Sequence, residues 1–273
     1  MRRAAVVATT ALLLGALGWI SGPSVAAAPA CQPDAVTGLA TSLIGGPAPA
    51  ATPYRCSVAV HPGARITVAG SHGGAGGSCT ANFVLRGSNG RTYLGTAGHC
   101  TLAASNISGD VGEFHDPPGQ GALVRDRDGR RIGEVAYAIQ QEPYDFALIR
   151  LDPGIAYDTA LPHWGPVTGI NTSTASSPVV LRWVGHGVGI GEVLYARSGL
   201  AAGLSDPDQV IGVGLIAPGD SGGPVVDEQG RAVGVNVAVG VAIGTEPGVQ
   251  IITRLAPQLA RAAAFTGGTF ALA

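Results

Sequence analysis

The 273-residue chain contains no lysine. Its cationic side chains are all arginine, 16 against 18 acids, for a formal net charge of −2. A slightly acidic, arginine-only chain offers no basic stripe, which excludes partners bound by charge such as nucleic acid or an anionic membrane. Charged residues are scarce altogether, at 12%. Scarce charge alone would leave the folding class open, but Val, Ile and Leu are plentiful, so most of the chain can bury a core rather than stay disordered. No unit of roughly 20–50 residues repeats, which excludes solenoids and propellers. His61, His72, His115, His163 and His186 lack metal-ligand spacing and read as loop or surface residues, so no metal or other cofactor is expected.

Long apolar runs are missing too, except at the start. Arg2 and Arg3 precede an uncharged stretch from Ala4 to Ile20, and Ser24 to Ala30 is rich in small residues. That order predicts a secretory signal peptide over residues 1–30, cut at an Ala-x-Ala site. A membrane span fits less well, because the stretch is short and interrupted by Thr9, Thr10 and Gly15. Cleavage would leave 243 residues with 14 Arg against 18 acids, a balance of −4, since Arg2 and Arg3 go and no acid does. The expected product is secreted, monomeric and free of the membrane. Its length suits one large domain or two small ones.

Only four cysteines are present. In an exported chain they predict two disulfides, with three possible pairings. Cys79 and Cys100 bracket a predicted hairpin and are paired on that ground; Cys31 and Cys56 then pair by elimination. A lipid anchor on Cys31 is disfavoured by Pro29 upstream and by the even cysteine count.

What the chain has in excess is glycine, 43 residues, about twice the usual share. Short β-branched runs between glycines predict an all-β fold of many strands and tight turns. Strands are expected at Ser57–Val60, Arg65–Val68, Cys79–Arg86 and Arg91–Ala97, the last two joined around Asn89-Gly90, a strong hairpin signal. Further strands are expected near Arg131–Ile139 and at Asp145–Leu151, which is apolar on both faces and therefore buried. After a proline-bearing connector at 152–177 the style resumes at Val179–Val184, Gly191–Arg197, Gln209–Ile216, Pro224–Val226, Arg231–Val239 and Val249–Thr253. Strands at this spacing argue for barrels or sandwiches. One helix, Arg254–Phe265, is expected to pack on the second half. The organisation read from this is an extension or pro-segment at 31–55, a first half at 56–165 and a second at 166–273.

Three segments carry chemistry. Gly219-Asp220-Ser221-Gly222-Gly223-Pro224 sets a serine among small residues whose amides can face a developing negative charge. Thr96-Ala97-Gly98-His99-Cys100 supplies a histidine, and Tyr144-Asp145-Phe146 a carboxylate at a strand head. A serine hydroxyl is a weak nucleophile until a base takes its proton, and that base must be held in one tautomer by a third group. Ser221 is the expected nucleophile, His99 the base and Asp145 its orienting partner. Asp110 and Asp126 are rivals for that last role, but each sits in a turn-like segment. The amides of Gly219 and Ser221 would form the oxyanion hole, each donor typically worth about 2.7–4 kcal/mol in the transition state.

At these residues the chain resembles the trypsin/chymotrypsin superfamily of serine endopeptidases, and its short loops resemble the bacterial branch of streptogrisins and alpha-lytic protease. The resemblance runs from about Cys79 to Phe265. It implies two six-stranded Greek-key β-barrels, a cleft between them, a C-terminal helix and hydrolysis of peptide or protein substrates through an acyl-enzyme. It also exposes departures. Val237 stands where the family usually carries a serine supporting the catalytic Asp. Leu215, six residues before the nucleophile, stands at the base of the specificity pocket, and Val239 where a pocket-neck glycine is common; together they imply a small or medium apolar residue before the scissile bond. Asp220 needs an internal cation, and Arg182, isolated in an apolar strand, is the expected partner. Val237 and the apolar pocket also leave open a catalytically silent homologue that binds protein ligands, and an esterase is a minor third option. The Asp126-x-Asp128-Gly129 turn has its glycine too early for a calcium loop.

Overall fold

A computed structural model describes residues 31–33, 54–102, 110–173, 180–188, 194–239 and 249–273. The expected signal peptide and most of the 31–55 extension lie outside the described residues. Strands β1 (Cys31–Pro33) and β2 (Tyr54–Cys56) pair antiparallel with Cys31 opposite Cys56, and Cys56 is disulfide-bonded.

The first large sheet is built from β3 (Arg65–Ala69), β4 (Gly76–Thr80), β5 (Val84–Gly87), β6 (Thr92–Thr96), β7 (Gly112–His115), β8 (Leu123–Asp126), β9 (Arg131–Gln141) and β10 (Tyr144–Leu151). A one-turn helix, α1 (His99–Leu102), follows β6. In space the strands run β5-β6-β10-β9-β8-β3-β4, with β7 against β9. The single strand expected at Cys79–Arg86 is two. Ala81 N donates to Ala64 O at 2.8 Å and Asn82 N to Gly95 O at 2.7 Å, so the chain turns a corner there and changes neighbours. A straight strand could not serve both sides of a strongly curved sheet.

The second sheet comprises β11 (Gly169–Ile170), β12 (Val180–Val184), β13 (Ala196–Asp206), β14 (Gln209–Val213), β15 (Pro224–Asp227), β16 (Arg231–Val239) and β17 (Val249–Arg254). Its order is β16-β15-β12-β13-β14-β17, and β17 pairs again with β16, so six strands close into a barrel. The all-β, chymotrypsin-like architecture is therefore present, with one closed barrel and one bent half-barrel that carries extra edge strands. Two strand expectations need correction. Ser57–Val60 contributes only an isolated bridge from Val60 to Tyr157. The strand expected at Gly191–Arg197 is β13, which starts at Ala196 and continues to Asp206 through residues too small to signal a strand. Its pairing with β14 holds it there.

Helix α2 (Leu255–Thr266) buries Leu255, Gln258, Leu259 and Ala262, an i, i+3, i+4, i+7 stripe. It stops at Gly267, whose φ of 71° permits the left-handed cap and whose N–H returns to Ala263 O. The expectation that α2 packs on the second barrel is half the picture. Leu255, Leu259 and Ala262 belong to a core cluster that also holds Phe146 and Leu148 of the first sheet. Arg261 grips Glu113 of β7, and the tail forms β18 (Phe270–Leu272) on β5. The helix thus ties the two sheets together. Each fully buried leucine in that seam contributes roughly 1.5–3 kcal/mol.

Candidate active site

Helix α1 carries His99, and its tight start depends on Gly98. A Cβ at Gly98 would lie 1.9 Å from Ile139 O, so no other residue fits. The amides of Thr101 and Leu102 return to Gly98 O at 3.0 Å. The disulfide between Cys79 and Cys100 fastens the helix to β4. Asp145 opens β10 beside it. One carboxylate oxygen accepts from His99 N at 2.9 Å and the other meets His99 Nδ1 at 2.7 Å. This two-point grip leaves the ring little freedom to turn and makes Nδ1 the protonated nitrogen, which leaves Nε2 as the acceptor in the neutral ring. His99 is buried, and burial opposes its charged form, but the charge and hydrogen bond of Asp145 outweigh that and raise its pKa above the ordinary histidine value.

The serine loop comes from the other barrel. Ser221 O accepts from Thr80 N at 2.8 Å, while Thr80 Oγ1 donates to Gly219 O at 2.7 Å. Gly222 sits at φ 86°, and a Cβ there would come within 2.2 Å of Thr96 Oγ1. Only a glycine lets this loop press against the first sheet beside His99. Ser221 is partly exposed. Its Oγ makes no hydrogen bond among the described residues.

Peptide planarity fixes the amides on either side of Asp220. Pro218 O is held by Val188 N at 2.8 Å and Asp220 O by Gly223 N at 2.9 Å. The N–H of a trans peptide points opposite to its carbonyl. The amides of Gly219 and Ser221 are therefore turned away from these two contacts, and neither has a partner among the described residues. Gly219 adopts φ 101° and sits against His186 O, where a Cβ would approach to 2.8 Å.

Residues 79–235, more than half of the chain, match the trypsin-like peptidase domain. The chain belongs to that family. It is a family of serine-type peptidases, and the fold agrees. Thermobifida fusca Protease A is similar over 78% of this chain and 99% of its own, at 16% identity and a TM-score of 0.51. Nocardiopsis Protease (NAPase) is similar over 77% and 98%, at 17% identity and a TM-score of 0.50. These two likenesses speak for the fold. No match was found among curated protein sequences.

This trypsin-like peptidase domain corrects one pairing outright. Asp220 is fully buried, and its partner is Arg197, not Arg182. Arg197 Nη1 donates to Oδ2 at 2.6 Å and Nη2 to Oδ1 at 2.5 Å, while Gly187 N and Ala217 N complete the carboxylate at 2.8 and 2.9 Å. Arg182 instead reaches Glu228 O at 3.2 Å and lies 5.1 Å from the Trp164 ring. The reason is strand parity: Arg197 is opposite Trp183 in the β12–β13 ladder, whereas Arg182 is opposite Ser198 and faces the other way. Arg197 lies in the neighbouring strand of the same hairpin, and the sequence signal that could have found it was its own apolar flank, Tyr195-Ala196.

The other expected residues divide. Val237 is buried in the core and offers Asp145 no hydroxyl. Leu215 is 47% exposed, and its carbonyl accepts from Arg197 Nη1 at 3.3 Å. Val239 pairs through its backbone with Gln250; its side chain lies outside the described residues. The Asp126 turn is closed by its own amides, Asp128 N and Arg130 N, on Oδ1. Thr80 and Asn236 escaped notice in the sequence, and His186 was read only as a loop or surface residue. Thr80 is the hydroxyl hinge between the sheets. His186, whose N donates to Thr80 Oγ1, is pushed down to about 4 by burial. Asn236 lies directly behind the serine loop.

Proposed function

We propose that this chain is a secreted serine endopeptidase in which Ser221 attacks the scissile carbonyl and His99 takes its proton. The double hydrogen bond from His99 to Asp145 carries this reading, because it leaves one ring nitrogen free for Ser221. In the first step the Ser221 oxygen bonds to the carbonyl carbon, and the proton moves from Oγ to His99 Nε2. The amides of Gly219 and Ser221 receive the oxyanion. Collapse expels the amine, which takes the proton back from His99, and leaves an acyl-serine. Water then repeats the sequence from the same side and releases the acid. Asp145 stabilises the transient imidazolium throughout without itself taking the proton.

Two further features support the reading. The Arg197–Asp220 pair holds the serine loop with the amides of Gly219 and Ser221 unpartnered among the described residues, so as oxyanion donors they would need no reorganisation when charge develops. The disulfide fixes the helix that carries His99, and the Thr80 contacts tie the serine loop to the first sheet. A second reading, a silent homologue that only binds protein ligands, draws on the unbonded Ser221 Oγ and the missing hydroxyl at Val237. Treating the folded protein with a fluorophosphonate probe separates them. Mass spectrometry should find the adduct on Ser221, and His99→Ala should lose it; an unlabelled, well-folded protein would favour the binding module.

A further inference from the structure

Two side-chain carboxamides stand unpaired inside the second barrel at the end nearest Ser221. Asn236 and Gln250 are both fully buried. Among the described residues, neither the oxygen nor the nitrogen of either carboxamide has a hydrogen-bond partner. Buried polar groups are paired in the great majority of cases, and these four atoms on adjoining strands leave donors and acceptors open to a ligand.

Register puts the two on one face. Asn236 is opposite Ile252 in the β16–β17 ladder, and directly paired residues share a face. Ile252 belongs to the barrel interior with Trp183, Leu181 and Val225. Gln250, two residues before Ile252, points the same way. Its side chain lies across Gly212 of β14, where a Cβ would come within 2.5 Å of Nε2. The opposite face of β16 carries Val237 toward the first sheet, so Asn236 and Val237 look into different spaces.

The serine is close by. Asn236 O accepts from Gly222 N at 2.7 Å and Asn236 N donates to Gly223 O at 2.9 Å. Gly212, opposite Gln250, lies on the strand that leads directly into the Leu215–Gly219 approach to Ser221. Both carboxamides thus sit beneath the point where a substrate side chain next to the reacting carbonyl would enter.

We infer that Asn236 and Gln250 line the subsite for the residue preceding the scissile bond and select glutamine or asparagine there. This rests on the serine endopeptidase reading and replaces the apolar preference expected from Leu215 and Val239. Each carboxamide offers a donor and an acceptor, and a substrate carboxamide answers both. An apolar side chain would leave all four atoms unpaired. A carboxylate would use only the two amino groups and would need a cation, but Arg197 is committed to Asp220. A lysine or arginine would need a carboxylate, and Asp220 is likewise taken.

The test uses the full secreted protein, first titrated with the fluorophosphonate probe, then assayed on fluorogenic peptides identical except for Gln, Asn, Glu, Met, Leu or Arg before the cleaved bond. Gln or Asn should exceed the similarly sized Met and Leu by on the order of 100-fold in kcat/KM. Asn236→Leu and Gln250→Met should narrow that gap to a few-fold. Protein that labels at Ser221 yet cleaves Met or Leu peptides as well as Gln and Asn overturns this inference alone, and needs no variant to do so. Failure to label at Ser221 overturns the endopeptidase reading and the inference with it.

Discussion

On the first-sheet side of the cleft, both oxygens of Asp145 are occupied by His99 and the histidine is locked to its helix. On the second-barrel side, among the described residues, the amides of Gly219 and Ser221 have no partner, and neither do the carboxamides of Asn236 and Gln250. In the proposed reaction the base is preorganised by saturation, and the nucleophile's surroundings by groups held ready and left empty. Saturation suits a part that must not move. Open donors suit a part whose partner arrives with the substrate, because hydrogen bonds made only in the transition state speed the reaction.

The sharpest way to break the contrast is at the saturated end. Asp145→Asn should lower kcat by about 10⁴-fold, because the amide favours the wrong imidazole tautomer. The same variant tests the proton balance. His99 must be neutral to act as base, and its raised pKa moves the acid limb of the pH–rate profile above the ordinary histidine value. Losing the carboxylate should shift that limb to lower pH. For stability, the His99–Asp145 pair contributes fully below about pH 6.5, the unfolded value. Its contribution disappears as pH rises through the higher folded value.

Next in size is the ion pair beneath the serine loop. Arg197→Met leaves a buried carboxylate unpaired and should cost about 3–5 kcal/mol of stability in denaturant unfolding, with turnover lost besides. Arg182→Met removes only an exposed hydrogen bond to Glu228 O and a contact with Trp164, and should cost less than about 1 kcal/mol. Equal effects from the two would sink the assignment of Arg197. The smallest effect is expected at Val237→Ser, which would offer Asp145 one more donor. A rise in kcat of up to about tenfold is expected, equivalent to one ordinary hydrogen bond. An unchanged kcat would show that the grip on His99 is already sufficient.

Much of this molecule was legible before any coordinates. Asn89-Gly90, Asp145–Leu151 and the apolar stripe of α2 each carry their conformation locally, through turn chemistry, two-faced burial or helical period. Where the reading slipped, the deciding contacts were distant. The corner at Ala81–Asn82 exists because two strands compete for one segment. The strand β13 survives its alanines and glycines because β14 pairs along it. The helix was expected on one barrel and bridges both, since its amphipathic stripe says only that a face is buried, not against what.

The residue types and spacing of the His99, Asp145 and Ser221 segments pointed by themselves to the proposed chemistry, because activation of a serine needs those groups and few others. Which arginine meets Asp220, and where the carboxamides of Asn236 and Gln250 point, only the tertiary structure decided. Neighbouring strand positions face opposite sides, so a one-residue difference in register moves a charge from the buried loop to the surface. A linear sequence does not contain that register; the closing of the barrel imposes it.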